Sequence, residues 1–372
     1  MKHKLLIDSI SLMSPLTGIG RYAYEIAKEL EQKDDFKCSY FYGYISNQLM
    51  APSSGENVKS FKSIIVKNPL LKSMVRAVLF RLAGVFGPRY DIYWQPNFIP
   101  NQSIKANKVV VTVHDFSWDI YPEFQPVERV DYFQKYFYSS IKQCDYIITG
   151  SEFSKQEILD RLDFEEDKIK VIYHGINHDL FKVYDDMRVG FELPHKFMFS
   201  AGSIEPRKNL VGLLKAYNLL DDRIKKEYKL VLAGFKGWEN KEIVKLMEKD
   251  KENIYYLGFI ADIDLAKVYN LASLFVFPSF YEGFGLPVLE AMASGTPVVC
   301  SGISSLPEVG GDAVVYCNPL DVIDIKEKIE MVLSDEELQK QMLQKGLQRA
   351  QMFSWEKSAG EHMSVFQEIL KR

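Results

Sequence analysis

Two glutamates eight residues apart, Glu282 and Glu290, bracket a run of glycines and aromatics in the segment FPSFYEGFGLPVLEAMASGTP, residues 277–297. The apolar run Leu274–Pro278 reads as a strand, Gly283 and Gly285 as a loop, and Leu286–Ser294 as a helix. Such a turn suits an anion, because glycine lets backbone amides approach a ligand and a helix start carries about half a positive charge. A diphosphate over Phe284, Gly285 and Leu286 is therefore expected. A carboxylate beside phosphate repels it, so Glu282 and Glu290 make chemical sense there as acceptors for sugar or ribose hydroxyls. A solvated loop acid and a helix N-terminal acid explain the same two residues equally well. The basic pair Arg207-Lys208 follows another apolar run; Arg can grip phosphate with a planar fork, and Lys adds a mobile point charge. A solvated pair opening a helix fits less well, since cations there oppose the helix dipole. His114 follows the apolar run Val109–Val113 and stands beside Asp115. Taken alone, such a histidine is more often core packing than chemistry.

Positioning these groups takes two α/β domains. Short apolar runs, Leu5–Ile10, Ser39–Ile45, Ile92–Trp94, Val109–His114 and Tyr146–Gly150, alternate with longer amphipathic stretches, and the rhythm restarts at Lys196. That alternation implies parallel strands with helices on the sheet, and 372 residues exceed one ordinary core. Charge, Gly190 and Pro194 place the seam within 182–193, giving domains of 1–185 and 186–354, with the amphipathic tail 355–372 returning to the first. The ligand is expected in a cleft between the domains. A net charge of −4 argues against a nucleic-acid partner. Cys38, Cys144, Cys300 and Cys317 are scattered and lack metal-site spacing, which fits reduced core residues of a cytoplasmic protein. Neither a signal-peptide pattern nor a run of about 20 apolar residues is visible.

The segment containing Glu282 and Glu290 resembles the E-x7-E motif of family 4, the retaining GT-B glycosyltransferases also called glycosyl transferases group 1. SAGSIEPRKNL (200–210), TGIGRYAYEI (17–26), VTVHDFSW (111–118) and YHGINHDLF (173–181) are similar to further segments of that family, particularly its bacterial O-antigen and exopolysaccharide mannosyltransferases. The resemblance implies a GT-B fold, two Rossmann-like domains facing each other across a cleft. It implies transfer of a hexose, above all mannose from GDP-mannose, to a glycan or polyprenyl-diphosphate-linked acceptor. Glu282 would bind donor-sugar hydroxyls and Glu290 the nucleotide ribose. Arg207 and Lys208 would neutralise the diphosphate, Gly18 and Gly20 would let a first-domain loop close on it, and His114 would orient the sugar. Ser203, Gly258 and Phe259 complete the implied donor site. Many members carry a basic residue where this chain has Ser203, which leaves the phosphate clamp to Arg207, Lys208 and backbone amides. UDP-sugar transferases of the same fold, a nucleotide-sugar epimerase and a catalytically silent carbohydrate binder remain as rivals.

Other signals carry less. Gly18-Ile19-Gly20-Arg21-Tyr22-Ala23 fits a dinucleotide fingerprint, but residues 11–17 separate it from its strand and no acid closes the next one. Asp262-Ile263-Asp264 reads as helix N-terminal acids, and Gly175 spoils helical pairing of His174 with His178, so neither metal nor cofactor is expected. From Lys59 to Arg89 seven basic residues and no acid accompany an apolar stripe at helical spacing. An ordinary surface helix and an interfacial helix docking on an anionic membrane, at the inner face of the cytoplasmic membrane, both fit that stretch.

Overall fold

The structure is a computed structural model that describes residues 2–13, 18–33, 35–51, 87–235 and 241–371. The chain forms two units: residues 1–114, 131–175 and 355–372 make the first, and 115–130 and 176–354 the second.

The first unit holds a seven-stranded sheet of β1 (His3–Asp8), β2 (Phe36–Phe41), β3 (Ile45–Ser46), β4 (Tyr90–Gln95), β5 (Ala106–Thr112), β6 (Tyr146–Thr149) and β7 (Ile169–Val171). The strand order is β3-β2-β1-β4-β5-β6-β7, parallel except for the short edge strand β3. Every residue of β6 and the run Ile92–Gln95 of β4 are buried, as parallel strands covered on both faces require. Helix Gly18–Glu31 buries Tyr22, Ala23, Ile26, Ala27 and Leu30, a stripe at three- and four-residue spacing. The C-terminal helix Trp355–Lys371 packs on it and buries Trp355, His362, Phe366 and Ile369. Strand order reverses between β1 and β4, so the crevice of this sheet lies beyond their C-terminal ends.

The second unit holds β8 (Phe197–Ala201), β9 (Lys229–Ala233), β10 (Ile254–Tyr256), β11 (Leu274–Phe277), β12 (Val298–Ser301) and β13 (Val315–Cys317). All are parallel in the order β10-β9-β8-β11-β12-β13, reversing between β8 and β11. Helix Leu210–Asn218 packs Leu213, Leu214 and Tyr217 into a core shared with Leu230, Ile325 and Ile329. No helix among the described residues is long and apolar enough to cross a membrane.

Several sequence expectations need correction. The units divide at 175/176 and not at 185, because Tyr184 N–H donates to Asn270 Oδ1 at 3.0 Å and Asn270 Nδ2 donates to Lys182 O at 2.8 Å. Those bonds hold the charged stretch on the second unit. Residues 115–130 also belong to that unit, against their place in the sequence. The run 39–45 is not one strand: Gly43 turns at φ +89° and sends β3 back antiparallel to β2. Gly18 and Gly20 lie in the first turn of a helix and not in a loop. The basic stretch from Lys59 lies, up to residue 86, outside the described residues.

Candidate active site

The switch point between β8 and β11 is where an open parallel sheet offers its crevice, and both strands end there in the charged residues singled out from the sequence. After β8 the chain turns at Gly202 and Gly234 comes against it. A Cβ on Gly234 would lie 1.7 Å from the Gly202 oxygen, so no side chain fits at that approach. Ser203, Ile204 and Lys208 then line a pocket with Phe277 at the end of β11. Asn209 closes the loop in the left-handed region, φ +53°, and caps helix Leu210–Asn218 by accepting from Gly212 N–H at 3.1 Å.

The loops after β8 and β11 are tied together by backbone and side chain. Phe280 N–H donates to Arg207 O at 2.9 Å, and Asn209 Nδ2 donates to Pro278 O at 3.0 Å and to Pro319 O at 2.7 Å. Arg207 Nη1 reaches Tyr281 O at 2.7 Å and Glu282 Oε2 at 3.0 Å, while Nη2 reaches Glu205 Oε1 at 2.8 Å. Lys208 Nζ donates to Glu282 Oε1 at 2.7 Å and sits 4.9 Å from the Phe277 ring centre. Two cations thus share two carboxylates, and the cluster is neutral. Glu282 is held from its other side as well. Its N–H donates to Ser304 Oγ at 3.1 Å, and the Ser305 hydroxyl donates to the oxygens of Glu282 (2.8 Å) and Phe284 (2.9 Å).

Burial alone pushes the Glu282 carboxyl up, but the charges of Arg207 and Lys208 outweigh it and bring it to about 2. Burial works against the Arg207 cation too, and Glu282, Glu205 and Asp115 more than offset it, so its pKa is raised. Glu282 is therefore an anion at any working pH and has no proton to give. The next turn opens helix Leu286–Ala293 at Gly285, φ +112°, where a Cβ would meet the Leu306 side chain at 2.5 Å. Glu290, one turn inside that helix, is buried and accepts from the Tyr269 hydroxyl at 3.1 Å. Gly258 turns at φ +69° after β10, and Phe259 stacks on Phe235 with 4.4 Å between ring centres.

His114 follows β5 in the first unit, where Ser154 Oγ donates to its backbone oxygen at 3.2 Å. Its Nε2 lies 2.8 Å from Pro96 O; a carbonyl only accepts, so this nitrogen carries the proton. The structure thus brings Arg207, Lys208, Glu282, Gly283 and Phe284 into one cluster with Ser203 on its pocket wall, and sets Gly18 and Gly20 at the start of helix Gly18–Glu31 and His114 after β5, all in the first unit. Asp262 and Asp264 occupy the first turn of helix Asp262–Leu271. Sequence reasoning missed Glu205, Asn209, Ser304 and Ser305. It also missed Tyr281, whose oxygen accepts from Phe116 N–H at 2.9 Å. Only Glu205, an acid two residues before Arg207, carried a visible signal.

Comparison with known proteins decides the family. Residues 16–180 match the family model described as Glycosyltransferase Family 4, and residues 185–349 that described as Glycosyl transferases group 1. The O-antigen chain mannosyltransferase B of Escherichia coli is 34% identical over 98% of this chain and 99% of its own. This chain is a member of the group 1 glycosyltransferases. The solved structure of sucrose-phosphate synthase from Thermosynechococcus elongatus shares the fold of the glycosyltransferase over 100% of both chains, with a TM-score of 0.75 at 17% identity. HepE of Anabaena, solved with UDP-glucose, covers 99% of it and 98% of its own chain, with a TM-score of 0.67 at 16% identity. Both likenesses rest on the GT-B pair of parallel sheets. The glycosyltransferase activity belongs to the family.

Proposed function

We propose that this glycosyltransferase transfers an α-mannosyl group from GDP-mannose, with retention, to a glycan or polyprenyl-diphosphate-linked acceptor in O-antigen synthesis. The observation that carries the chemistry is the neutral Arg207–Lys208–Glu282–Glu205 cluster at the β8/β11 switch point; the sugar follows from the mannosyltransferase relative. A diphosphate entering this site draws Lys208 away from Glu282. The carboxylate so released accepts from the hydroxyls of the transferred sugar, and Arg207 keeps it in place. Amides at Gly285 and Leu286 complete the anion site, Glu290 takes the ribose, and His114 serves the sugar.

As the bond from C1 to the diphosphate oxygen breaks, Lys208, Arg207 and the helix amides take up the growing charge. The acceptor hydroxyl attacks C1 from the leaving-group side, and its proton passes to a diphosphate oxygen. A covalent route needs a carboxylate on the opposite face, and Glu282 is taken up by the sugar hydroxyls and Arg207. No metal is needed for the leaving group. The basic residues from Lys59 to Arg89 bring the enzyme to the inner face of an anionic membrane. Replacing Lys72, Arg76 and Arg81 by Glu should then abolish flotation with anionic liposomes, and equal flotation would remove that reading.

The deciding experiment supplies GDP-mannose and a polyprenyl-diphosphate-linked glycan, and follows GDP release and the anomeric configuration of the product. GDP release coupled to an α-linked mannoside is expected. A new sugar nucleotide formed without acceptor would mean an epimerase, and turnover with UDP-hexoses alone would replace the donor.

A further inference from the structure

Around Tyr22 the first unit buries three histidines, His114, His174 and His362, with Trp94 and Trp355. The proton positions in this group follow from what each atom is able to do. His362 Nδ1 lies 2.7 Å from Ser358 O, which only accepts, so Nδ1 carries the proton. In the neutral ring Nε2 must then accept, and the Tyr22 hydroxyl 2.7 Å away donates to it. Tyr22 Oη in turn accepts from the Thr112 hydroxyl at 3.0 Å, and Thr112 Oγ1 accepts from the Trp94 indole N–H at 3.0 Å. The chain runs in one direction only, from β4 through β5 and helix Gly18–Glu31 to the C-terminal helix. A second proton on His362 would reverse the Tyr22 bond, with Oη accepting from Nε2 and donating to Thr112 Oγ1.

Tyr22 meets the His114 ring edge-on, 5.1 Å between centres and 90° between planes. His174 fills the next side, 5.7 Å from His114 and 4.6 Å from Tyr22, and stacks on Trp355 at 6.2 Å. Phe98 closes the third side at 5.4 Å. Pro96 O holds one nitrogen of His114, and the rings of this box set its plane. Two of them, Tyr22 and His174, are anchored by residues of the C-terminal helix.

We propose that Tyr22 and His362 are positioning residues for His114, so that the C-terminal helix sets the orientation of a residue serving the transferred sugar. This inference rests on the role given to His114 above. Three variants separate it from mere support of the fold: Tyr22→Phe and His362→Phe, which remove the bond, and His362→Gln, whose amide oxygen still accepts from Tyr22. With GDP-mannose and acceptor, Tyr22→Phe and His362→Phe should each lower kcat by about tenfold, while GDP affinity in the second unit is unchanged. The double variant should be no worse than the poorer single one, because both remove the same bond. His362→Gln should recover most of the rate. In protein labelled with 15N-histidine, the His114 ring resonances should move in both Phe variants.

Folded Phe variants with wild-type kcat and unmoved His114 resonances would overturn the proposal, as would a double variant whose loss is the product of the single losses. His114→Ala distinguishes the two levels of the argument. If it keeps full activity, the role of His114 itself falls; if it loses activity while Tyr22→Phe does not, only the positioning inference falls.

Discussion

The two sheets bury polar groups at their switch points in opposite ways. In the second unit Glu282, Arg207 and Lys208 are buried as ions, each compensated by another, and Glu282 is held down to about 2 although burial alone would raise it. In the first unit burial is the largest influence on His174 and His362. His362 is pushed down to about 4, and His174, with His114 and His362 beside it, is lowered well below its ordinary 6.5. Burial disfavours the charged form in both places, and at Glu282 the partner ions Arg207 and Lys208 outweigh it. The ionised cluster is able to exchange partners with a charged ligand, whereas the neutral one is suited to fixing geometry.

Removing one ion should break the second region most severely. Arg207→Ala leaves Glu205 and Glu282 buried against Lys208 alone, and one uncompensated buried charge costs about 3–5 kcal/mol. Chemical denaturation should show a loss of that order, and GDP affinity measured by calorimetry should fall with it. Lys208→Ala should weaken GDP binding with less harm to the fold, because Arg207 still holds Glu282. Unchanged GDP affinity in both variants would move the phosphate site elsewhere.

Acid should separate the regions next. The unfolded histidine takes its proton at about 6.5 and folded His362 only at about 4, so its stabilisation is complete above 6.5 and is lost as pH falls toward 4, about 3 kcal/mol in all. Glu282, lowered from 4.5 to about 2, keeps its contribution until pH falls below 4.5. Hydrogen exchange at stepped pH should therefore show helix Trp355–Lys371 opening before helix Leu286–Ala293. The reverse order would contradict the contrast between the clusters. The smallest effect expected is none: with the diphosphate charge met by Lys208, Arg207 and backbone amides, activity should survive EDTA. Loss that magnesium or manganese restores would add a metal to the site.

The alternation of apolar runs made the two parallel sheets legible, because strands buried on both faces read as continuous apolar stretches. Arg207, Lys208 and Glu282 were legible as candidates by chemical type. Their mutual pairing was not, since it joins residues 74 and 75 positions apart through the register of β8 beside β11. Nor was the support given by Asn209, Ser304 and Ser305, which depends on left-handed backbone at Asn209 and Ser304 and on small hydroxyls met only in the fold. Gly190 and Pro194 put the seam later than the division at 175/176, because composition marks exposed chain and the bonds from Asn270 decide which unit holds it. His362 gave no sign of its link to Tyr22, 340 residues earlier in the chain.

The central claim is that Glu282 exchanges Lys208 for the sugar when the diphosphate arrives, and Glu282→Gln tests it in one protein with two readings. The amide keeps the shape but gives up the charge that Lys208 must leave. GDP should therefore bind more tightly than to the wild type, while kcat for transfer from GDP-mannose falls by roughly 10²-fold or more, the scale of losing a preorganised polar contact in the transition state. Weaker GDP binding together with near-normal kcat would contradict the account.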